Sequence, residues 1–164
     1  MYVNRNLKIT VVEDDRAMSE MVRDYLSMKF PSSEITVYNT GEEALNGILI
    51  EQDVMILDYH LDSANAKALN GIQVLQKLKE RFSTPVIFLS SQERADISAN
   101  TIKYGAYDYI VKNEAAFTRL EIVISNMLGH EDVKKNLGTQ KFFNTILVVL
   151  MIVLVTAFVL FRMF

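Results

Sequence analysis

The sequence predicts a doubly wound α/β domain with a five-stranded parallel sheet, followed by one apolar C-terminal helix. Two observations carry the sheet. Short β-branched runs alternate with longer stretches of helical periodicity over the first 130 or so residues. The short runs are apolar throughout instead of alternating, as expected of strands covered by helices on both faces. The third observation concerns the end of the chain, where residues 142–161 carry no charge at all.

Each element has its own signal. Lys8-Ile-Thr-Val-Val12 reads as a buried strand closed by acids. From about Arg16 to Phe30, Met18, Met21, Val22, Tyr25 and Leu26 recur at helical spacing, and Pro31 ends the run. Ile35–Tyr38 is a second strand. Thr40 followed by Glu43 marks a helix start, with Ala44, Leu45 and Ile48 on its apolar side. Asp53–Leu57 is a third strand ending on Asp58, and a loop from about Tyr59 to Asn70 follows. Ile72, Val74, Leu75 and Leu78 mark the next helix, and Pro85–Leu89 the fourth strand. A helix over Glu93–Tyr104 closes at Gly105. Tyr107–Val111 is the fifth strand. The last helix of the domain carries Phe117, Leu120, Val123, Ile124 and Leu128, with Gly129 at its end.

Composition narrows the function. The 164 residues carry a net charge of −3. Residues 1–130 hold 13 Lys/Arg against 18 Asp/Glu, a net of −5, whereas residues 131–164 hold 4 against 2, a net of +2. An acidic body argues against a nucleic-acid surface, which needs clustered Lys and Arg. The absence of cysteine excludes disulfides and cysteine zinc sites. The N-terminus has no long apolar run of the signal-peptide kind.

Ligands of open parallel sheets bind at the carboxyl ends of the strands. There the first strand runs into Glu13-Asp14-Asp15, the third into Asp58, the fourth into Ser90-Ser91 and the fifth into Lys112. Clustered carboxylates repel one another unless a cation sits among them, and all-oxygen sites of this type suit Mg²⁺. A carboxylate can attack phosphorus, while a cation, a Lys and a hydroxyl neutralise the phosphoryl oxygens. Taken singly, an acid after a strand usually caps the next helix and a Lys is usually solvated. Their joint order and strand position are what point to phosphoryl chemistry.

These residues resemble the bacterial response-regulator receiver domain, a five-stranded flavodoxin-like fold. The resemblance covers about residues 6–130. It rests on Val11-Val-Glu-Asp-Asp15, Val54-Met-Ile-Leu-Asp58, Pro85-Val-Ile-Phe-Leu-Ser90 and Gly105-Ala-Tyr-Asp-Tyr-Ile-Val-Lys112. It implies that Asp58 accepts a phosphoryl group from a phosphohistidine on a histidine kinase or phosphotransfer protein. It implies Mg²⁺ bound by Asp14 directly, by Glu13 partly through water, by Asp58, and by the backbone carbonyl of His60. Ser90 would bond the phosphoryl group, Lys112 would pair with one of its oxygens, and Tyr109 would turn inward as Ser90 moves. Such a domain is not an enzyme, although it assists its own phosphorylation and dephosphorylation.

Three departures from the family stand out. Asn113 follows Lys112 where a cis-proline is usual, which would leave the Lys more loosely held. The loop after Asp58 reaches Gly71 about five residues later than usual. His60 and Gln92, two residues beyond Asp58 and Ser90, hold positions that tune hydrolysis of the aspartyl phosphate in the family. A phosphatase with an Asp nucleophile usually carries a second Asp at the position of His60, which ranks that class low.

The expected organisation is a receiver over 1–130, a polar linker over 131–141 and a transmembrane tail anchor over 142–161. Twenty helical residues span about 30 Å, roughly the hydrocarbon core of a bilayer. Lys134, Lys135 and Lys141 before the span would place the receiver on the cytoplasmic side of a bacterial membrane. The chain has no room for a DNA-binding output domain, so output would pass through protein partners. A phosphorylation-independent adaptor at the membrane is the alternative function.

Overall fold

The computed structural model describes residues 6–61, 68–129, 145–149, 151 and 162. The chain divides into two compact units, Met1–Ile124 and Ser125–Phe164. The first unit holds strands β1 (Lys8–Val12), β2 (Glu34–Tyr38), β3 (Val54–Leu57), β4 (Val86–Ser90) and β5 (Asp108–Val111). Helices α1 (Arg16–Lys29), α2 (Gly41–Gly47), α3 (Gly71–Lys79) and α4 (Ala95–Lys103) alternate with them. A further helix, α5, begins at residue 116 and runs through 129. The strands form one parallel sheet in the order β2-β1-β3-β4-β5.

This order confirms the doubly wound prediction. The chain moves outward from β1 to β2, then crosses back to β3 on the other side of β1. Between β1 and β3 the connections therefore diverge, which opens a crevice at their carboxyl ends. Every residue of β3 and β4 is buried, as continuous apolar runs require. Phe88, Ile9, Met55, Ile56, Leu57 and Leu75 are among the largest fully buried side chains. Removal of these apolar side chains from water, at about 25 cal/mol per Å², is the main force closing this core.

The helix signals also hold in detail. The Thr40 hydroxyl accepts from Glu43 N–H at 3.1 Å, and the Glu43 carboxylate accepts from Asn39 N–H at 3.2 Å. Asn70 and Gln73 form a reciprocal capping box at the start of α3. Helix α4 ends on Gly105 with φ +95°. Gly105 N–H donates to Ile102 O, and Ala106 N–H to Thr101 O, a Schellman ending that the left-handed residue makes possible. Helix α4 is shorter than expected, spanning Ala95–Lys103, and Arg94 at its cap makes no side-chain cap bond.

The expected membrane span is not found. Among the described residues no helix is long and apolar enough to cross a membrane. The described helical residues within 142–161 are 145–149 and 151. The rest of 142–161, and the expected linker over 131–141, lie outside the described residues. Within the second unit Ile146, Leu147, Val148, Val149 and Met151 are exposed apolar side chains.

Candidate phosphoacceptor site

Backbone bonds beyond the strand ends fix the positions of the candidate residues. Glu13 N–H donates to Tyr38 O at 3.1 Å, Asp58 N–H to Val12 O at 2.9 Å and Lys112 N–H to Ser90 O at 2.8 Å. The ladders thus continue one residue past β1, β3 and β5. Each chemistry-bearing side chain starts from a rigid backbone, at the crevice the topology opens.

The three acids after β1 divide their work. Asp15 is the cap of α1, its carboxylate accepting from Ala17 N–H at 2.9 Å and Met18 N–H at 3.2 Å. Glu13 is buried at 2 % exposure, Asp14 is exposed, and Asp58 is buried at 6 %. One carboxylate oxygen from each of Glu13, Asp14 and Asp58 lies within 4.8 Å of the others. Such a set, all oxygen and one face open to solvent, fits a hard divalent cation that keeps part of its water shell.

Lys112 closes the cluster. Its ammonium lies 2.7 Å from Glu13 Oε2, 2.9 Å from Glu13 Oε1 and 3.1 Å from Asp58 Oδ2. Burial would push the Lys112 ammonium down, but the two carboxylates outweigh it and hold its pKa above the usual value. Burial lifts Glu13 from 4.5 to about 7; Lys112 opposes the rise and the neighbouring Asp58 charge adds to it. Asn113 stands where the family usually has a cis-proline, and Lys112 is here in contact with both carboxylates. Asn113 makes its own turn, its side chain accepting from Ala115 N–H at 3.0 Å and its carbonyl from Ala116 N–H at 3.0 Å. The two carboxylates then hold the ammonium itself.

Ser90 is fully buried, and its hydroxyl accepts from Gln92 N–H at 3.3 Å. Tyr109 is turned inward at 5 % exposure, with its phenol donating to Gln92 O at 2.7 Å. Burial raises the Tyr109 pKa, and a hydrogen-bonding contact with Ser90 works against that. His60 has an exposed side chain, and its ring meets Tyr59 edge-on at 4.8 Å. It stands at the rim, whereas Glu13, Asp58, Ser90, Tyr109 and Lys112 lie below it.

Gly71 was not singled out from the sequence for this site. A Cβ there would run into the carbonyl oxygen of Asp58 and come within 2.8 Å of the Phe88 ring. Its N–H donates to Tyr59 O at 3.1 Å. The start of α3 thus lies directly on the backbone that carries Asp58. The signal was available as the glycine that ends the long loop, but the close approach links residues far apart in sequence.

Comparison with known proteins agrees with this geometry. The model of the response regulator receiver domain matches residues 9–124. A protein-glutamate methylesterase/protein-glutamine glutaminase of Bacillus subtilis is 33% identical over 109 residues, covering 65% of this chain and 29% of that protein. The transcriptional regulatory protein CiaR of Streptococcus pneumoniae is 32% identical over 111 residues, covering 65% of this chain and 45% of that protein. The chain therefore spans less than half the length of these relatives, and the match lies in a shared domain. Among solved structures, a Francisella response regulator receiver domain superposes with a TM-score of 0.66 at 26% identity, covering 77% of this chain and 99% of that one. The receiver domain of a LuxO-type repressor from Vibrio parahaemolyticus superposes with a TM-score of 0.68 at 21% identity, over 81% and 98% of the two chains, and shows the fold alone. A matched sequence from β1 into α5, the sheet order and the acidic crevice at its switch point agree, and the chain belongs to the response regulator receiver domain family of two-component systems.

Proposed function

We propose that Asp58 accepts a phosphoryl group from the phosphohistidine of a histidine kinase or phosphotransfer protein. The observation that carries this reading is the Glu13, Asp14 and Asp58 cluster with the Lys112 ammonium held among its carboxylates. Transfer breaks the donor P–N bond, whose electron pair returns to the imidazole, and forms a P–O bond to an Asp58 carboxylate oxygen. Glu13, Asp14 and Asp58, with the His60 backbone carbonyl, would hold Mg²⁺, which supplies neutralisation of phosphoryl charge when bound. Lys112 exchanges its contact with Asp58 for a phosphoryl oxygen and keeps its contact with Glu13. Ser90 donates its hydroxyl to another oxygen, and the rotation of Oγ toward the phosphoryl group draws it from Gln92 N–H and alters the setting of Tyr109. Signalling then proceeds by that rearrangement and by partner binding. Incubation with acetyl phosphate and Mg²⁺ tests this: intact mass should show one phosphoryl adduct, lost in Asp58→Asn and in chelator. An adaptor that works without phosphate would give no adduct.

A second proposal concerns location. The uncharged stretch 142–161 and the exposed apolar side chains at 146–149 and 151 favour an anchor in the cytoplasmic membrane, with the receiver on the cytoplasmic side. Tethering would raise the local concentration of the receiver near a membrane kinase. Membrane fractions washed with carbonate should retain the chain, and its release would end the anchor reading.

A further inference from the structure

Four aromatic rings link the surface of the site to its interior. His60 meets Tyr59 at 4.8 Å between centroids, Tyr59 meets Phe88 at 6.2 Å, and Phe88 stacks on Tyr109 at 6.5 Å. These spacings and tilts lie within the range where ring quadrupoles attract. Burial deepens along the series: His60 is exposed, Tyr59 half-buried, and Phe88 and Tyr109 buried. Gly71 lies against the Phe88 ring and the Tyr59 Cα. Both described ends of the long loop after Asp58 therefore press on one ring. At the far end the Tyr109 phenol bonds Gln92 O, and Gln92 N–H bonds Ser90 Oγ.

We propose that Tyr59 is a positioning residue. Through Phe88 its ring sets the inward, Gln92-bound placement of Tyr109, so that whatever engages the loop at His60 is transmitted to Ser90. The inference rests on the phosphoacceptor reading for its functional meaning. Packed interiors answer a displacement at one ring by moving its neighbours, because they hold few voids to absorb it. A phenylalanine at position 59 keeps the ring and the ladder; a leucine fills the space without the ring.

The test uses the full-length chain with 3-fluorotyrosine at every tyrosine, read by fluorine NMR. Tyr109→Phe identifies the Tyr109 resonance. Tyr59→Phe should keep that resonance and its response to acetyl phosphate with Mg²⁺. Tyr59→Leu should lower the ratio of inward to outward Tyr109 about three- to tenfold, the scale of one aromatic contact. His60→Ala, at an exposed position, should move the ratio the same way by about twofold, and decides alone if Tyr59→Leu does not fold. A Tyr109 resonance that stays unmoved in these variants, before and after acetyl phosphate, overturns the inference. Intact mass of the same samples reports the adduct separately: its absence from the unsubstituted chain overturns the phosphoacceptor reading instead.

Discussion

Glu13 and Lys112 sit 2.7 Å apart with Asp58 beside them, so their titration is a property of the folded site. Glu13 in the folded chain releases its proton near 7 instead of 4.5. Between those values the folded state holds a proton that the unfolded chain has lost. Stability from this group is thus fully present below about pH 4.5 and declines as pH rises through 7. The difference amounts to about 3 kcal/mol at most. Without Mg²⁺, denaturant unfolding should show stability falling between about pH 4.5 and 7, and Glu13→Gln should flatten that slope. An unchanged slope in Glu13→Gln would contradict the assignment. Of the three acids after β1, the family resemblance points to Glu13 and Asp14 and leaves Asp15 without a role; the structure makes Asp15 the cap of α1 and buries Glu13 beside Lys112.

At the scale of elements, the decisive contact is the start of α3 against the end of β3. A methyl group at Gly71 meets backbone at the Asp58 carbonyl, and backbone cannot swing away as a flexible side chain can. Gly71→Ala should cost about 1–3 kcal/mol, the usual cost of overpacking, and should lower the thermal midpoint accordingly. It should also slow adduct formation with acetyl phosphate, since Asp58 shifts with its strand. Helix α2 depends on a distant cation in a similar way. Arg81 donates to Leu45 O at 2.6 Å and Ile48 O at 2.8 Å, satisfying carbonyls at the end of a helix of only seven residues. Contacts such as Gly71 to Asp58 and Arg81 to Leu45 join elements through space. No local pattern marks them, which is why the strands and caps were legible in the sequence and these supports were not.

At the scale of the whole molecule, the sheet was readable because each strand is an apolar run between helices of regular period. The site was readable because parallel topology brings strand ends together, so Glu13, Asp58, Ser90 and Lys112 had to meet once the order β2-β1-β3-β4-β5 was granted. The tail differs: its lack of charge predicts a span, but most of 142–161 lies outside the described residues, among which no helix is long and apolar enough to cross a membrane. The central claim remains that Asp58 is the acceptor. Transfer of labelled phosphate from a phosphohistidine donor, followed by peptide mapping, tests it most directly. The label should reside on the peptide containing Asp58, as an acyl phosphate labile to hydroxylamine. A label on the His60 imidazole in that same peptide, which resists hydroxylamine differently and survives Asp58→Asn, would contradict the account, as would a label anywhere else in the chain.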